Sequence, residues 1–362
     1  MEVSALDEKG KPVDWWFIYK VPQLAGGANA DSATGYEYVY YDPNLSKVDK
    51  SPHFLNQDTG ALNFTLDSVF KHAATTTGWI LYNDEAPAGA KLKDDGNLGH
   101  TKGVIAFDTA SQTALWLVHS WPQYPTPGVA GMPTPDYGQT FLCLALDTAT
   151  ASQLAAQMAN HQEPQTYLPR IPASLANTDP IYLLTQPLNP SAPSAYDVLA
   201  FKTRAGLAFK VIAKNRKWGQ DFWNDLVAPT LGVSMDVETW IRGKIPPTTD
   251  KTGQYKIIDV KYIDLRPLGA PWVWPESKDH AKWGISLTAD WICVGDINRM
   301  VSQENRGGGT VAFQEPKLWQ ALSKTDLIVP PPGQTEADAR AMIKKINSDA
   351  KQAATTPTKP EK

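Results

Sequence analysis

Cysteine and long apolar runs are both scarce in this chain. Only two cysteines occur, Cys143 and Cys293, and each lies within an apolar run. Two thiols exclude a disulfide framework and a zinc cluster built on cysteine, so we expect two buried thiols that pack as small hydrophobic residues. Apolar stretches such as Phe141–Leu146 are too short to cross a bilayer, and no membrane span is therefore predicted.

A surplus of positive charge is also missing. The 34 lysines and arginines stand against 38 aspartates and glutamates, which gives a formal net charge of −4 with the six histidines neutral. This balance argues against a surface coated with basic residues for binding nucleic acid at about pH 7. Protonation of all six histidines would raise the net charge to +2. We therefore expect a polyanion to be held better at about pH 5 than at about pH 7.

The N-terminal segment Met1–Lys11 lacks the apolar core of an export signal. The protein is therefore either made without such a signal or begins after one that was removed. With 362 residues, 42% of them apolar, the chain can bury a large core in one large domain or in two ordinary ones.

Strand-like segments dominate the sequence, and helical patterns alternate with them. The helical patterns cover Asp147–Met158 and Trp218–Leu231. A third amphipathic pattern, Ala337–Ala350, precedes a Thr/Lys/Pro tail over Ala353–Lys362 that has nothing to bury and is expected to be disordered. Strands mixed with helices of this length predict an α/β or α+β fold rather than a β-sandwich. The predicted strands are 14–20, 35–41, 78–82, 103–107, 114–119 and 139–144.

An internal repeat is the most informative feature. The pairs His100/Lys102 and His280/Lys282 each form a His-x-Lys motif, and the motifs lie 180 residues apart. Each is followed in the same order by a strand that ends in polar residues, a Gly-x-Thr strand start and a helical pattern. One such motif alone is common, whereas features that repeat in order indicate two related halves. The later members are Trp116–Ser120, Gly138–Thr140 and the pattern from Asp147 in the first half, and Trp291–Asn298, Gly308–Thr310 and Glu315–Leu322 in the second.

The paired motifs suit chemistry on a phosphodiester. Residues i and i+2 of a strand point to the same face, so each histidine should project together with its lysine. If the halves pack about a pseudo-two-fold axis, the four side chains of His100, Lys102, His280 and Lys282 converge on one pocket. The lysines can stabilise charge on the phosphate oxygens, while one imidazole attacks phosphorus and the other protonates the departing oxygen. Neighbouring ammonium groups also lower histidine pKa values, which keeps one imidazole neutral in acid.

Seven short segments follow one another between residues 12 and 322: Val13–Pro22, Leu81–Asp84, His100–Val104, Leu117–Pro122, Asp279–Trp283, Gly295–Arg299 and Glu304–Thr310. In sequence and in order they resemble the signature segments of the deoxyribonuclease II family. That family is similar to the phospholipase D superfamily, whose half-site reads His-x-Lys, then Asp, then Gly-Ser-x-Asn. Gly295–Asn298 fits the last element with Asp296 in place of serine. Phe107 and Leu287 stand where the superfamily has its aspartates, and the first half offers His119 and Ser120 instead of the Gly-Ser-x-Asn element.

The resemblance implies an α/β, phospholipase D-like pseudo-dimer of two similar halves, each with a mixed sheet flanked by helices. Residues 1–170 would form the N-terminal half, residues 171–333 the C-terminal half, and residues 334–362 the helix and tail. The implied activity is that of an acid endonuclease that cleaves DNA without metal or cofactor, through a phosphohistidine intermediate, and leaves 3′-phosphates. His100 would be the nucleophile and His280 the general acid.

Supporting roles follow from the same resemblance, each beside a plainer alternative. His119, with Ser120, would position a phosphate or tune His100, or else be a hydrogen-bonded core histidine. Asp296 and Asn298 would orient His280 or a phosphate oxygen, with the carboxylate raising the pKa of His280, or else form only a turn after a buried strand. Arg306, with the three glycines after it, would contact a phosphate, or else belong to a flexible loop.

A basic cluster between residues 202 and 217 is equally compatible with a DNA-binding track and with the solvated edge of a strand pair. We propose Lys210, Lys214 and Lys217 as its substrate-binding members. Two rival functions remain: another phosphodiesterase of the superfamily that acts on lipid or RNA, and a non-catalytic DNA-binding module of the same fold. Animal members of the family carry disulfides and are lysosomal, whereas this chain cannot form that disulfide set. An exported or periplasmic protein is therefore compatible with the sequence, and the oligomeric state stays open.

Overall fold

The computed structural model describes residues 2–25, 32–90, 92, 98–128, 132–188, 193–248 and 250–327. The predicted helix Ala337–Ala350 and the tail lie outside the described residues. The strands are β1 (Ala5–Leu6), β2 (Pro12–Val13), β3 (Trp15–Lys20), β4 (Tyr38–Tyr41), β5 (Asp49–Lys50), β6 (Thr77–Asn83), β7 (Lys102–Asp108), β8 (Thr113–His119), β9 (Gln139–Asp147), β10 (Thr166–Arg170), β11 (Tyr196–Lys202), β12 (Ala208–Lys214), β13 (Met235–Thr239), β14 (Ile257–Asp259), β15 (Tyr262–Asp264), β16 (Val273–Pro275), β17 (Lys282–Ser286), β18 (Trp291–Gly295), β19 (Gly308–Gln314) and β20 (Asp326–Leu327). The α-helices are α1 (Ala61–Phe70), α2 (Thr148–Gln157), α3 (Pro180–Leu183), α4 (Ala228–Leu231) and α5 (Pro316–Leu322).

Two large sheets dominate this α/β fold. The first has the order β10-β6-β7-β8-β9-β3-β4-β5, and the second has the order β11-β12-β19-β18-β17-β13-β14. All neighbours are antiparallel except β13 and β14, which run parallel. The prediction of a mixed sheet in each half therefore holds for the second sheet, whereas the described strands of the first are antiparallel. Short connections such as the one from β7 to β8 favour antiparallel pairing.

The repeat seen in the sequence corresponds to a repeated arrangement of elements. In the first sheet β7, β8 and β9 are successive neighbours and α2 follows, while β17, β18 and β19 are successive neighbours in the second and α5 follows. An acidic residue begins each helix: Asp147 accepts a hydrogen bond from the Thr150 amide, and Glu315 accepts one from the Lys317 amide. Such caps satisfy amide groups that have no partner within the helix.

The two sheets share one core. Trp15 and Tyr19 project from β3 of the first sheet against aromatic residues of the second. The Trp15 ring lies 5.4 Å from that of Phe313, and the Tyr19 ring lies 6.3 Å from that of Trp283. This packing brings the start of β7 and the start of β17 into one region of the molecule.

Several other predictions can be compared with the fold. Cys143 and Cys293 are both buried free thiols, as predicted. The helix predicted over Trp218–Leu231 is shorter, with a wide helical turn over Trp223–Val227 that continues into α4. No helix within the described ranges is long and apolar enough to span a membrane.

Candidate active site

The two His-x-Lys motifs lie where β7 and β17 begin, because Lys102 and Lys282 are the first residues of those strands. Each histidine is bound through its backbone amide by a segment of the other half. The His100 amide donates to the Gly307 carbonyl at 2.8 Å, and the His280 amide donates to the Gly138 carbonyl at 2.9 Å. We call residues 132–138 the first crossing segment and residues 303–307 the second crossing segment. Each crossing segment binds the histidine of the opposite half, and these two contacts join the motifs into one site.

The imidazole of His100 is fixed by the second half of the chain. Its Nδ1 donates a hydrogen bond of 2.6 Å to the backbone carbonyl oxygen of Asp296. Its Nε2 lies 3.7 Å from Asp84 Oδ2. Burial and the charge of Lys102 hold the pKa of His100 well below its usual range. The ring is therefore neutral, and Nε2 carries its lone pair.

Asp84 joins the cations on the first side of the site. Lys102 Nζ donates to its Oδ1, and Arg306 Nη2 donates to its Oδ2 at 3.2 Å. Burial opposes ionisation of Asp84, but the positive charges of Lys102 and Arg306 outweigh it and hold the pKa of the carboxyl well below its usual range. Asp84 follows β6, whose last residue Asn83 pairs with Lys102. The carboxylate thus lies beside the motif because of the strand register.

The imidazole of His280 is held by aromatic rings instead. Tyr137 of the first crossing segment stacks on it at a centroid distance of 3.8 Å and an interplanar angle of 11°. Trp240 lies 4.4 Å away at 51°. The Nε2 atom of His280 is buried and has no hydrogen-bond partner among the described residues. Burial and the charge of Lys282 lower the pKa of His280 to about 2.

The four predicted residues lie close enough together for the charge of one to change the pKa of another. The charge of Lys102, from the first half, acts on both His280 and Lys282 of the second half. Burial and this charge lower the pKa of Lys282 to about 7. In the other direction, the charge of Lys282 acts on His100. His100, Lys102, His280 and Lys282 therefore lie close enough together to form one site, and the two ammonium groups strengthen its positive potential.

Asp296 is placed differently from the prediction. Its carbonyl oxygen orients His100 rather than His280, because β18 ends against the first half. The pKa of His280 is lowered, chiefly by burial and by the charge of Lys282, and not raised as predicted. Burial raises the pKa of Asp296 to about 8. Asn298 is buried, and its side-chain oxygen has no hydrogen-bond partner among the described residues.

His119 and Ser120 are buried beside the first motif. His119 Nδ1 accepts a hydrogen bond of 3.2 Å from the Trp121 amide. Burial and the charge of Lys102 lower the pKa of His119 to about 3. Ser120 donates from Oγ to Gln139 Oε1 at 2.5 Å. Both residues thus support the strands behind Lys102.

Two buried lysines hold the crossing segments, and Lys214 is one of them. Lys20 Nζ donates to the carbonyls of Val21, Pro135 and Tyr137. Lys214 Nζ donates to the carbonyls of Gln303, Glu304 and Arg306. Lys20 ends β3 and Lys214 ends β12, and burial lowers the pKa of each to about 7. Lys214 is therefore an internal residue and not part of a DNA-binding surface, contrary to the prediction.

The other two predicted members of the basic cluster, Lys210 and Lys217, lie in different parts of the structure. Lys210 is half-buried with its amine 5.3 Å from the Trp291 ring. It lies four residues before Lys214 along β12, roughly 13 Å from the end of the strand that faces the site. Lys217 is exposed, and it lies near the second crossing segment because the Gly219 amide donates to the Glu304 carbonyl. The described cluster is therefore not one continuous track.

Three residues of the site were not assigned from the sequence: Asp84, Tyr137 and Trp240. Asp84 belongs to one of the seven segments, and its position after a strand next to β7 was the available signal. Tyr137 precedes Gly138, a residue at which the two halves of the chain approach closely. A Cβ atom at Gly138 would lie 2.5 Å from Asp279 Oδ2, so the close approach of the two halves requires glycine there. No local pattern marks Tyr137 or Trp240 as neighbours of His280.

Comparison with known proteins gives relatives of similar length. "Putative deoxyribonuclease-2" of Burkholderia thailandensis is 65% identical over 350 residues, which covers 97% of this chain and 100% of that protein. Deoxyribonuclease-2-alpha of Rattus norvegicus is 30% identical over 332 residues, 88% of this chain and 92% of that protein. Plancitoxin-1 of Acanthaster planci is 32% identical over 328 residues, 88% of this chain and 90% of that protein.

Among solved structures, yeast tyrosyl-DNA phosphodiesterase aligns with 60% of this chain and 67% of its own, at 9% identity and a TM-score of 0.29. This likeness is too low to support an argument. The α/β fold brings a histidine and a lysine from each half close together, and the named relatives place the chain in the class of hydrolases that act on DNA. The family model described as Deoxyribonuclease II matches residues 4–330. The chain belongs to the deoxyribonuclease II family, and it is a deoxyribonuclease.

Proposed function

We propose that this deoxyribonuclease is an acid endonuclease that cleaves DNA without a metal ion, through a phosphohistidine at His100, and leaves 3′-phosphates. The hydrogen bond from His100 Nδ1 to the Asp296 carbonyl oxygen carries the proposal. Because a carbonyl oxygen can only accept, Nδ1 holds the proton and Nε2 presents its lone pair. A nucleophilic imidazole requires this arrangement.

In the first step, His100 Nε2 attacks phosphorus, and the bond from phosphorus to O5′ breaks. The departing O5′ takes a proton from His280 Nε2, an atom with no partner among the described residues. The bound phosphodiester carries a negative charge that raises the histidine pKa and so favours the protonated ring. In the second step His280 removes a proton from water, and the water oxygen attacks phosphorus. The bond from phosphorus to nitrogen then breaks, which leaves a 3′-phosphate and a regenerated His100.

Positive charge for the transition state comes from the chain itself in this proposal. Lys102 and Lys282 are placed to stabilise charge on the non-bridging oxygens, and Arg306 reinforces Lys102 through Asp84. Within the described ranges, no group of three or more His, Cys, Asp and Glu side chains is arranged to hold a metal ion. In this proposal, Lys102 and Lys282 supply the positive charge that a bound metal ion supplies in metal-dependent nucleases.

We also propose that the fold is a phospholipase D-like pseudo-dimer, with residues 1–170 and 171–333 as its halves. The matching order of β7-β8-β9-α2 and β17-β18-β19-α5 supports the proposal. The equivalent positions of Lys20 and Lys214, each bound to the crossing segment of its own half, support it as well.

A plasmid-cleavage assay tests the proposed function. At about pH 5 with excess EDTA, we expect nicking of supercoiled plasmid to continue at an undiminished rate. The new 5′ ends should accept phosphate from polynucleotide kinase directly, whereas the 3′ ends should prime a polymerase only after phosphatase treatment. Activity that EDTA abolishes and Mg²⁺ restores, or products with 5′-phosphates, would contradict the proposal. An RNA or phospholipid substrate in the same buffer tests the rival phosphodiesterase functions.

A further inference from the structure

Arg242 is exposed and stacks on Trp240, an aromatic residue that contacts the His280 ring. Trp240 follows directly after β13, whose last residue Thr239 pairs with Lys282. This register brings the chain after β13 alongside the second motif, so that Trp240 contacts the His280 ring at 4.4 Å. The guanidinium of Arg242 lies 5.0 Å from the Trp240 ring centroid. Trp240 therefore contacts both the His280 ring and the guanidinium of Arg242, which is exposed at the surface.

Arg242 differs from Lys102 and Arg306 in having no acidic partner among the described residues. Lys102 and Arg306 both donate to Asp84, whereas the guanidinium of Arg242 forms no salt bridge within the described part of the chain. The backbone amide of Arg242 is held by Met300 Sδ at 3.0 Å, and its side chain is exposed. A guanidinium that is stacked on tryptophan and free of carboxylates is well suited to bind a phosphate.

We propose that Arg242, supported by Trp240, binds the phosphate that follows the scissile one on the 3′ side of the DNA strand. The inference rests on the proposed function, in which His280 protonates the O5′ of the departing nucleoside. The departing strand must then pass the His280 side of the pocket, where Arg242 lies. Trp240 alone separates Arg242 from His280, so a strand that leaves past His280 brings its next phosphate towards this guanidinium.

Competition by dinucleotides tests this subsite whether or not they are cleaved. Inhibition of plasmid nicking is measured in EDTA with TpT, with TpTp, which adds a phosphate on the 3′ side, and with pTpT, which adds it on the 5′ side. For the unmodified protein we expect TpTp to inhibit about tenfold more strongly than TpT, because a charged hydrogen bond to the added phosphate is gained. In Arg242→Gln this ratio should fall to about one. The slope of log KM against log salt on single-stranded DNA should also decrease by about 0.7.

Arg170→Gln is a matched control. Its guanidinium also stacks on a tryptophan, 5.2 Å from the Trp79 ring, but Trp79 lies towards the end of β6 that is remote from Asp84. This variant loses the same charge and the same kind of stacking, and it should keep the tenfold preference for TpTp. Trp240→Leu should reduce the preference only in part, because the guanidinium remains but is no longer held flat.

Three results would overturn the subsite. They are equal inhibition by all three dinucleotides in the unmodified protein, a preference for pTpT, and a preference for TpTp that survives Arg242→Gln. Each leaves the proposed function intact as long as the unmodified protein nicks plasmid in EDTA. Absence of that nicking would instead contradict the proposed function itself.

Discussion

Asp84 is the residue that connects most of the first half-site. Its carboxylate accepts hydrogen bonds from Lys102 and Arg306 and lies 3.7 Å from His100 Nε2. The depressed pKa of Asp84 keeps this carboxylate charged in acid, where the enzyme is proposed to work. Asp84 is thus a positioning residue: it holds Lys102 and Arg306 in place and contributes a negative charge near His100.

Asp84→Asn should therefore weaken both stability and turnover. Removing one partner from a buried ion pair costs about 3 kcal/mol at about pH 5. Because the folded-state pKa is depressed, this stabilisation is present above the unfolded-state pKa of about 3.9 and is lost as the pH falls through the folded-state value. Urea unfolding at about pH 5 and about pH 3 should show a difference from the unmodified protein that shrinks in acid.

Glu85→Gln is the control for this variant, because Glu85 is exposed and adjacent in the chain. It should unfold like the unmodified protein at both pH values. A constant difference between Asp84→Asn and the unmodified protein at the two pH values would refute the assigned role of the Asp84 charge.

At the scale of elements, the crossing segments determine how the site is assembled. The first crossing segment supplies Tyr137 and the Gly138 carbonyl to His280, and the second supplies the Gly307 carbonyl to His100. Lys20 binds two backbone carbonyls of the first crossing segment, and Lys214 binds three of the second. Each half therefore holds the segment that organises the histidine of the other half.

Lys214→Met should loosen the second crossing segment. The substitution keeps the apolar stem but leaves buried carbonyls without a donor, which costs about 1 to 3 kcal/mol for each unsatisfied group. We expect a loss of at least about 3 kcal/mol in urea unfolding and a lower kcat, because His100 and Arg306 lose their support. Lys210→Met on the same strand should change either quantity little. Equal stability of the two variants would show that the three carbonyl contacts do not matter.

The sequence predicted individual elements and motifs better than their pairing. The strands 78–82, 103–107, 114–119 and 139–144 lie within β6, β7, β8 and β9, since alternating apolar residues and turn signals are local. The repeat identified His100, Lys102, His280 and Lys282, which the structure brings together. The partner of His100 was not predictable, because the contact with Asp296 spans 196 residues and depends on the packing of the two sheets.

Burial was the other property that the sequence did not reveal. Lys214 belongs to a basic run that reads as a surface, yet its amine is enclosed by the carbonyls of the second crossing segment. A lysine at the end of a strand has the same local pattern whether it is solvated or covered by another part of the chain. Tyr137 and Trp240 likewise become neighbours of His280 only through long-range packing.

For the whole molecule, the pH dependence needs a different origin from the one expected. The predicted change from −4 to +2 required all six histidines to become protonated in acid. The pKa of His100 is well below its usual range, and those of His119 and His280 are lowered to about 3 and about 2, chiefly by burial. His119 and His280 therefore stay neutral at about pH 5 in the free protein, and the lowered pKa of His100 favours its neutral form. Lys282 offers another cause, because burial and the charge of Lys102 lower its pKa to about 7.

Activity should accordingly fall as the pH rises above 7. The Lys282 ammonium is complete at about pH 5 and reduced to roughly one tenth at about pH 8, so the phosphate loses a positive partner. We expect a decrease of up to about tenfold in kcat/KM over this interval. In Lys282→Arg the guanidinium keeps its charge, so the fall in kcat/KM at alkaline pH (the alkaline limb of the pH profile) should move to higher pH. The same substitution at the exposed Lys217 should leave the alkaline limb unchanged. An unchanged limb in Lys282→Arg would exclude Lys282 as its cause.

The most direct test of the paired-histidine account is to trap the intermediate. Thymidine 3′-(p-nitrophenyl phosphate) has a leaving group that needs no proton, so His280→Ala should still form the bond between His100 and phosphorus. The following hydrolysis lacks its base, and the adduct should accumulate. After an alkaline quench, peptide mass spectrometry should find thymidine phosphate on His100 in His280→Ala and no adduct in His100→Ala. An adduct on His280 would reverse the two roles, and turnover without any adduct would contradict the covalent mechanism.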